Sequence, residues 1–447
     1  LAGLVGTASE NALASALRKA RRRLIPLLSI CYLIAYMDRA NISFAAESMN
    51  RQLQFSPKVY GLGAGLFFVT YALCEIPSNR MLLRFGARRW LARIMLTWGL
   101  LAMAMMFIQG ARSFYGMRML LGIAEAGYFP GAIFYLSQWF PARERARSIS
   151  WFYIALPLSN VVMGGLAGLL LRQNGRFGLA GWQWLFLVEG LPAVVMSAVV
   201  WFALPDGPRE AKWLEAAERQ ALEQELASDP ARKHEHLPHG EGLRLALRSG
   251  RVWTIGLFFF LTLGSQYALT FSLPLILRGL TGWSAGKVGY LIAGIGVLGA
   301  VSMLATAASS DRSGERKMHV IVPCGVMGAA FVGAGLLMLR PGAGWGAVAA
   351  LVVVMVAFYA MQGPLLGLPT MILSGEAAAV AIAILTMCGI AGGFVGPYFT
   401  GWMREATGGY AAGVWALCVP AFLACGCMAL LMRHMPAREV TAKVGSE

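Results

Sequence analysis

Twelve apolar runs, each long enough to cross a bilayer, follow one another along this chain. They fall at about residues 24–46, 60–82, 91–109, 114–137, 147–171, 183–203, 252–279, 286–310, 319–339, 346–372, 376–403 and 409–433. One span needs roughly 20 consecutive apolar residues, and in hydrocarbon a helix satisfies its own backbone hydrogen bonds. The expected fold class is therefore an all-α membrane protein with twelve transmembrane helices. Composition agrees, with 57% of the 447 residues hydrophobic and only 13% charged. A surface that apolar suits lipid and not water, so the lipid bilayer is the first expected partner.

The net charge of +16 could point to nucleic acid. Its placement argues otherwise, because the basic residues sit in short clusters between apolar runs; no nucleic-acid partner is expected. Of the 38 Lys and Arg residues, 27 lie in the N-terminus, 80–93, 143–147, 204–251, 312–317 and the C-terminus, whereas nine lie in the alternate loops. This bias places both termini in the cytoplasm of a multi-pass protein of the bacterial inner membrane. The start RKARRRLIPLLSICYLIAY (18–36) has the basic and apolar parts of a signal peptide, but it runs into Asp38-Arg39 and further spans. It reads as a first membrane helix that also serves for targeting. The seven cysteines lie inside apolar runs without zinc-like spacing and read as small buried hydrophobes. His234, His236 and His239 read as part of a solvated loop, so no metal site is expected.

The stretch 204–251 is the one long polar segment. PDGPREAKWLEAAERQALEQEL (205–226) reads as a helix starting near Asp206-Gly207-Pro208. Trp213, Ala217, Ala221 and Leu222 share a face suited to lying along a membrane. Around this linker the chain repeats itself. Arg84-Phe-Gly86-Ala-Arg88-Arg89 recurs as Arg312-Ser-Gly314-Glu-Arg316-Lys317, and Gly164-Gly165-Leu-Ala-Gly168 as Gly392-Gly393-Phe-Val-Gly396, both at an offset of 228 residues. A loop and a helix sharing one offset mark two equivalent halves. The expected domains are a six-helix half at 1–204, a cytoplasmic linker at 205–251 and a second six-helix half at 252–447. Two parallel repeats with a site between them at the midplane form an alternating-access architecture.

The basic-glycine loop of the repeat resembles the signature loop of the major facilitator superfamily. More narrowly, YMDRANISF (36–44), EIPSNRMLLRFGARRW (75–90), RMLLGIAEAGYFPG (118–131), GWQWLFLVEGLPA (181–193) and SSDRSGERKMHV (309–320) resemble the anion:cation symporter family. That family includes bacterial permeases for sugar acids, tartrate and aromatic acids, and the sialin-type carriers of animals. The resemblance covers nearly the whole chain and implies the major facilitator fold.

Charged residues inside apolar runs are the candidate site. Each costs about 2.5–3.5 kcal/mol at a helix centre, so Asp38, Arg39, Glu75, Arg118 and Glu125 should face the interior and pair. Asp38 and Glu125 both fall near mid-membrane by helical rise. Arg118 and Glu125 are two turns apart on one face, while Asp38 and Arg39 point about 100° apart. Two readings stand. One is a static ion-pair network joining spans one and four. The other has buried acids loading protons and an arginine gripping a carboxylate with two hydrogen bonds. The resemblance implies the second. The residues matching Asp38 and Glu125 carry protons there, that matching Arg118 partners the aspartate, and that matching Arg39 contacts the anion. Tyr36 and Tyr71 match cavity-lining positions, and Asn160, Gln266, Gln362 and Thr386 are further polar candidates for substrate contact. Glu75, Arg84, Arg88, Asp311, Arg312 and Arg316 are the expected gating residues, and Glu189 reads as holding a helix end.

The family's acid before the first loop arginine is replaced by Leu83, although Asp311 keeps it in the second loop. Thr386 and Ile390 stand where sugar-acid permeases often have asparagines, which suggests a substrate with fewer hydroxyls. The expected function is proton-coupled symport of a small organic carboxylate into the cytoplasm. The alternative is an organic anion exchanger or a facilitator without proton coupling. Arg278 is the one arginine of span seven, which counts against the paired-arginine exchangers of organic phosphates, and span five lacks the Gly-Pro pattern of drug–proton antiporters. No nucleophile–base set or metal-ligand motif points to an enzyme. No cofactor is expected beyond protons as the coupling ion, and the protein should be a monomer.

Overall fold

The computed structural model describes residues 2–228, 244, 247–365 and 375–433; the histidine trio lies outside them. The described chain is helical, without a strand. The first half comprises α1 (Ala2–Leu53), α2 (Pro57–Phe85), α3 (Ala87–Ala104), α4 (Ala111–Glu125), α5 (Tyr128–Trp139), α6 (Ala142–Tyr153), α7 (Ala155–Leu171) and α8 (Gly181–Ala203). After α9 (Ala216–Ser228) come α10 (Gly250–Thr281), α11 (Ala285–Ser313), α12 (Met318–Met338), α13 (Gly344–Leu365), α14 (Gly375–Thr407), α15 (Ala411–Ala416) and α16 (Cys418–Arg433). Eleven described stretches are long and apolar enough to cross a membrane. The first apolar run lies within α1 and supplies the remaining pass, its hydropathy diluted by Asp38, Arg39 and Asn41.

Span four is not one helix. It breaks between α4 and α5 at Ala126-Gly127, where Gly127 takes φ 88°, a conformation open to glycine but strained for most residues. Ser78 Oγ donates to the freed Ala126 carbonyl at 2.6 Å, and a Cβ at position 127 would lie 2.3 Å from that hydroxyl. The break leaves Glu125 as the last residue of α4.

The repeated glycines sit on helices that form the seams between halves. α7 packs on α11, where a Cβ at Gly164 would lie 2.2 Å from the Gly289 carbonyl and one at Gly168 would lie 2.4 Å from Gly286 Cα. α14 packs on α2, where Gly61 and Gly401 admit the backbones of Pro397 and Pro57. Small residues let backbones approach this closely. At the end of the bundle remote from the linker, Glu47 pairs with Arg278. Nearby, Glu405 of α14 accepts from Ser56 Oγ at 2.8 Å and the Lys58 amide at 3.1 Å.

At the linker end the polar helix differs from its sequence reading. It begins at Ala216, after a 3-10 turn at Pro208–Glu210, and it packs on α1. Ala221, Leu222 and Leu226 are buried, but Ala217 is exposed. The reason is Glu218, which accepts from Lys19 Nζ at 2.8 Å and Ser15 Oγ at 2.7 Å. Trp213 stacks on Trp139 at 5.4 Å, beneath the Arg23 guanidinium.

Candidate functional site

α1 carries Tyr36, Asp38, Arg39 and Asn41 into the centre of the bundle, where Asp38 and Asn41 meet each other and Arg39 turns away from them. Arg39 reaches α4. Its Nε donates to Glu125 Oε1 at 2.7 Å, and its NH2 lies 2.6 Å from the same oxygen. The Arg39 side chain is 11% exposed and that of Glu125 fully buried. The guanidinium lies 5.0 Å from the Tyr36 and Tyr71 ring centroids and 5.5 Å from that of Phe67. Such contacts contribute about 0.5–2 kcal/mol each, the larger values where the cation is desolvated. Its NH1 points to Tyr267 Oη of α10 at 3.5 Å, so the ion pair stands at the interface between halves. Glu125 Oε2 has no hydrogen-bond partner among the described residues.

This pairing corrects the expectation that Arg118 partners Asp38, and it gives Arg39 a carboxylate of the protein itself where the substrate anion was expected. Arg118 is buried and donates to the Gly63 and Ala64 carbonyls of α2, each at 3.3 Å. Phe67 separates it from Arg39, with its ring 4.9 Å from the Arg118 guanidinium. Two turns of α4 part Arg118 from Glu125, so one reaches α2 while the other reaches α1. Asp38, 2% exposed, accepts from Asn41 Nδ2 at 3.0 Å, and Arg118 acts on it only through space.

A cavity opens beside the pair, lined by Tyr36, Arg39, Tyr153, Asn160, Gln266, Tyr267, Thr270, Phe358 and Tyr359 among others. Asn160 Nδ2 donates to Tyr359 Oη at 2.7 Å across the halves, and Gln266 Nε2 to Thr270 at 3.1 Å. Of the expected substrate contacts, Tyr36, Arg39, Asn160 and Gln266 line this cavity. Tyr71 lies against the Arg39 guanidinium. Gln362 is buried in α13 and Thr386 is half-buried in α14, and neither lines the cavity. Tyr153, Thr270 and Tyr359 were not singled out from the sequence. Their one available signal is a polar oxygen within an apolar run, which many packing residues share.

Of the expected gating residues, Arg88 binds Asp206 at the start of the linker, through its amide at 2.8 Å and its side chain at 3.5 Å. Arg84 lies over Phe85. Asp311 and Arg312 are exposed at the end of α11, and Arg316 is half-buried just beyond it. Glu75 is not at a helix end. It is buried inside α2 with no partner for Oε2 among the described residues, and it feels Arg39 electrostatically. Glu189 is not at a helix end either, lying well inside α8.

Residues 28–389 match the family model described as Major Facilitator Superfamily. This chain belongs to the major facilitator superfamily. Among its relatives, a "Putative tartrate transporter" of Agrobacterium vitis is 42% identical, covering 92% of this chain and 90% of the relative. A "Quinolone resistance transporter" of Acinetobacter baumannii is 39% identical, covering 89% and 90%. Among solved structures, a bacterial homolog of the human lysosomal transporter Spinster, inward-facing and unoccupied, superposes with TM-score 0.75 at 18% identity, covering 92% and 97%. This major facilitator is thus a transporter, not an enzyme, and it has the fold of two six-helix halves.

Proposed function

We propose that this transporter carries a small organic carboxylate together with protons, by alternating access of its two halves. The observation that carries the reading is the Arg39–Glu125 pair, a desolvated ion pair at the edge of a cavity between halves. A guanidinium can hold a carboxylate through two parallel hydrogen bonds. In the structure Glu125 Oε1 occupies that edge. Protonation of Glu125, whose Oε2 is open, removes the charge that competes for Arg39, and a substrate carboxylate then takes its place. One proton entering with a monoanion is electroneutral and is driven by about 1.4 kcal/mol per pH unit. A second proton, on Asp38, would add roughly 2.3 kcal/mol per 100 mV. The tartrate relative supports a carboxylate cargo. The quinolone relative and the aromatic lining favour a second reading, efflux of an aromatic drug.

The test is uptake by proteoliposomes of a carboxylate panel that includes tartrate and a quinolone, with and without an imposed pH gradient. Accumulation of a carboxylate that follows the pH gradient is expected. Carboxylate uptake that ignores the gradient, or quinolone transport alone, would overturn the reading. On the 27-to-nine basic bias we place the linker in the cytoplasm of an inner-membrane protein. An impermeant thiol reagent should then label Ser228→Cys only from the cytoplasmic side, and labelling on intact cells would reverse the orientation.

A further inference from the structure

Glu189 is 3% exposed, and neither of its carboxylate oxygens has a hydrogen-bond partner among the described residues. It faces α1, where Asp38 and Asn41 are the groups that act on it. α3 adds Trp98, which is fully buried and whose indole N–H is a donor that acts on Asp38. The Oδ2 of Asp38 also has no hydrogen-bond partner among the described residues. The remaining charges near this cluster, Arg118 and Glu125, act on Asp38, and Arg39 is taken by Glu125. Among the described residues four buried acids, Asp38, Glu75, Glu125 and Glu189, therefore stand in the centre against Arg39 and Arg118, and neither arginine acts on Glu189. Two carboxylates that act on one another in an apolar setting disfavour each other's ionised form. The surplus acid is a place for a proton.

Direction comes from the helices. α1 runs away from the linker end, marked by Lys19 on Glu218, so Asn41 lies about one turn farther from that end than Asp38. α8 runs the opposite way, toward the linker. Glu189 is its ninth residue, about 12 Å from the remote end of the bundle. Glu189, Asn41 and Asp38 thus form a series from that end inward.

We propose that Glu189 is a proton relay for Asp38, receiving protons from the end remote from the linker. The Glu189 carboxyl O–H breaks as an O–H forms on the open Oδ2 of Asp38. The Glu189 carboxylate then takes a new proton from the aqueous phase, so charge and protons balance. Asn41 positions the acceptor by holding Oδ1. The inference rests on the proton-coupled reading above.

The experiment compares wild type, Glu189→Gln and Glu189→Asp in proteoliposomes, by pH-driven uptake, by counterflow and by the infrared carbonyl stretch of protonated carboxyls. Glutamine keeps the shape of the protonated acid but cannot release the proton. The relay predicts that Glu189→Gln lacks one carbonyl band, loses at least about tenfold in pH-driven accumulation and keeps counterflow within about twofold, while Glu189→Asp retains both transport modes. A Glu189→Gln protein that matches a pH-driven wild type, or that lacks no band, overturns the relay alone. So does loss of counterflow in both variants, which would make Glu189 structural. A wild type that ignores the pH gradient sinks the symport reading and the relay together.

Discussion

Arg39 is held by three aromatic rings and one carboxylate oxygen, and that arrangement determines how an anion enters. A lysine keeps the charge but loses the planar fork that matches a carboxylate. Arg39→Lys is therefore expected to insert normally and to lose at least about tenfold in uptake. Unchanged uptake would remove Arg39 from the site. At this scale the sequence exposes residue types well, because charges stand out in apolar runs. It does not fix who pairs with whom. Asp38 and Arg39 diverge around α1, and Arg118 and Glu125 lie two turns apart, so both pairings satisfied the spacing. Helix rotation chose Arg39 with Glu125 and left Arg118 on the α2 carbonyls. Glu189 was misread for a related reason, because a single acid in an apolar run shows neither its depth nor its neighbours.

The elements that the sequence hides are those set by backbone breaks and by contacts distant along the chain. Gly127 looks like any packing glycine, yet its left-handed turn divides span four and ends α4 at Glu125. The linker helix is a second case, since its partner is Lys19, about 200 residues away. Burial raises the Glu218 pKa, but hydrogen bonds from Lys19, Ser15 and the Glu215 amide outweigh it and bring it from 4.5 to about 2. A depressed folded-state value means that the clamp of α9 on α1 stabilises fully above pH 4.5 and is lost as pH falls toward about 2. Wild type should therefore lose its advantage in melting temperature over Glu218→Gln across that interval. A gap between the two proteins that stays constant with pH would show that the clamp does not titrate.

On the scale of the whole molecule, the internal repeat was the most legible feature. Gly164, Gly168 and Gly393 meet the opposite half, whereas Gly392 and Gly396 let α14 approach α10 of its own half, small residues standing where helices pack closely. The contacts at the end remote from the linker, Glu47 on Arg278 and Glu405 on the start of α2, were not legible, since no pattern links those positions. Between the seams stands the ion pair on which the transport account depends. The most direct measurement is pH-driven uptake and counterflow on the same Glu125→Gln vesicles. Glutamine mimics the protonated acid and leaves Arg39 to the substrate, so uphill accumulation should vanish while counterflow persists at a lower half-saturating concentration. Survival of both would place the coupling proton elsewhere. Loss of both in a folded protein would mean that Glu125 binds substrate or holds the structure, and would contradict coupling through the Arg39–Glu125 pair.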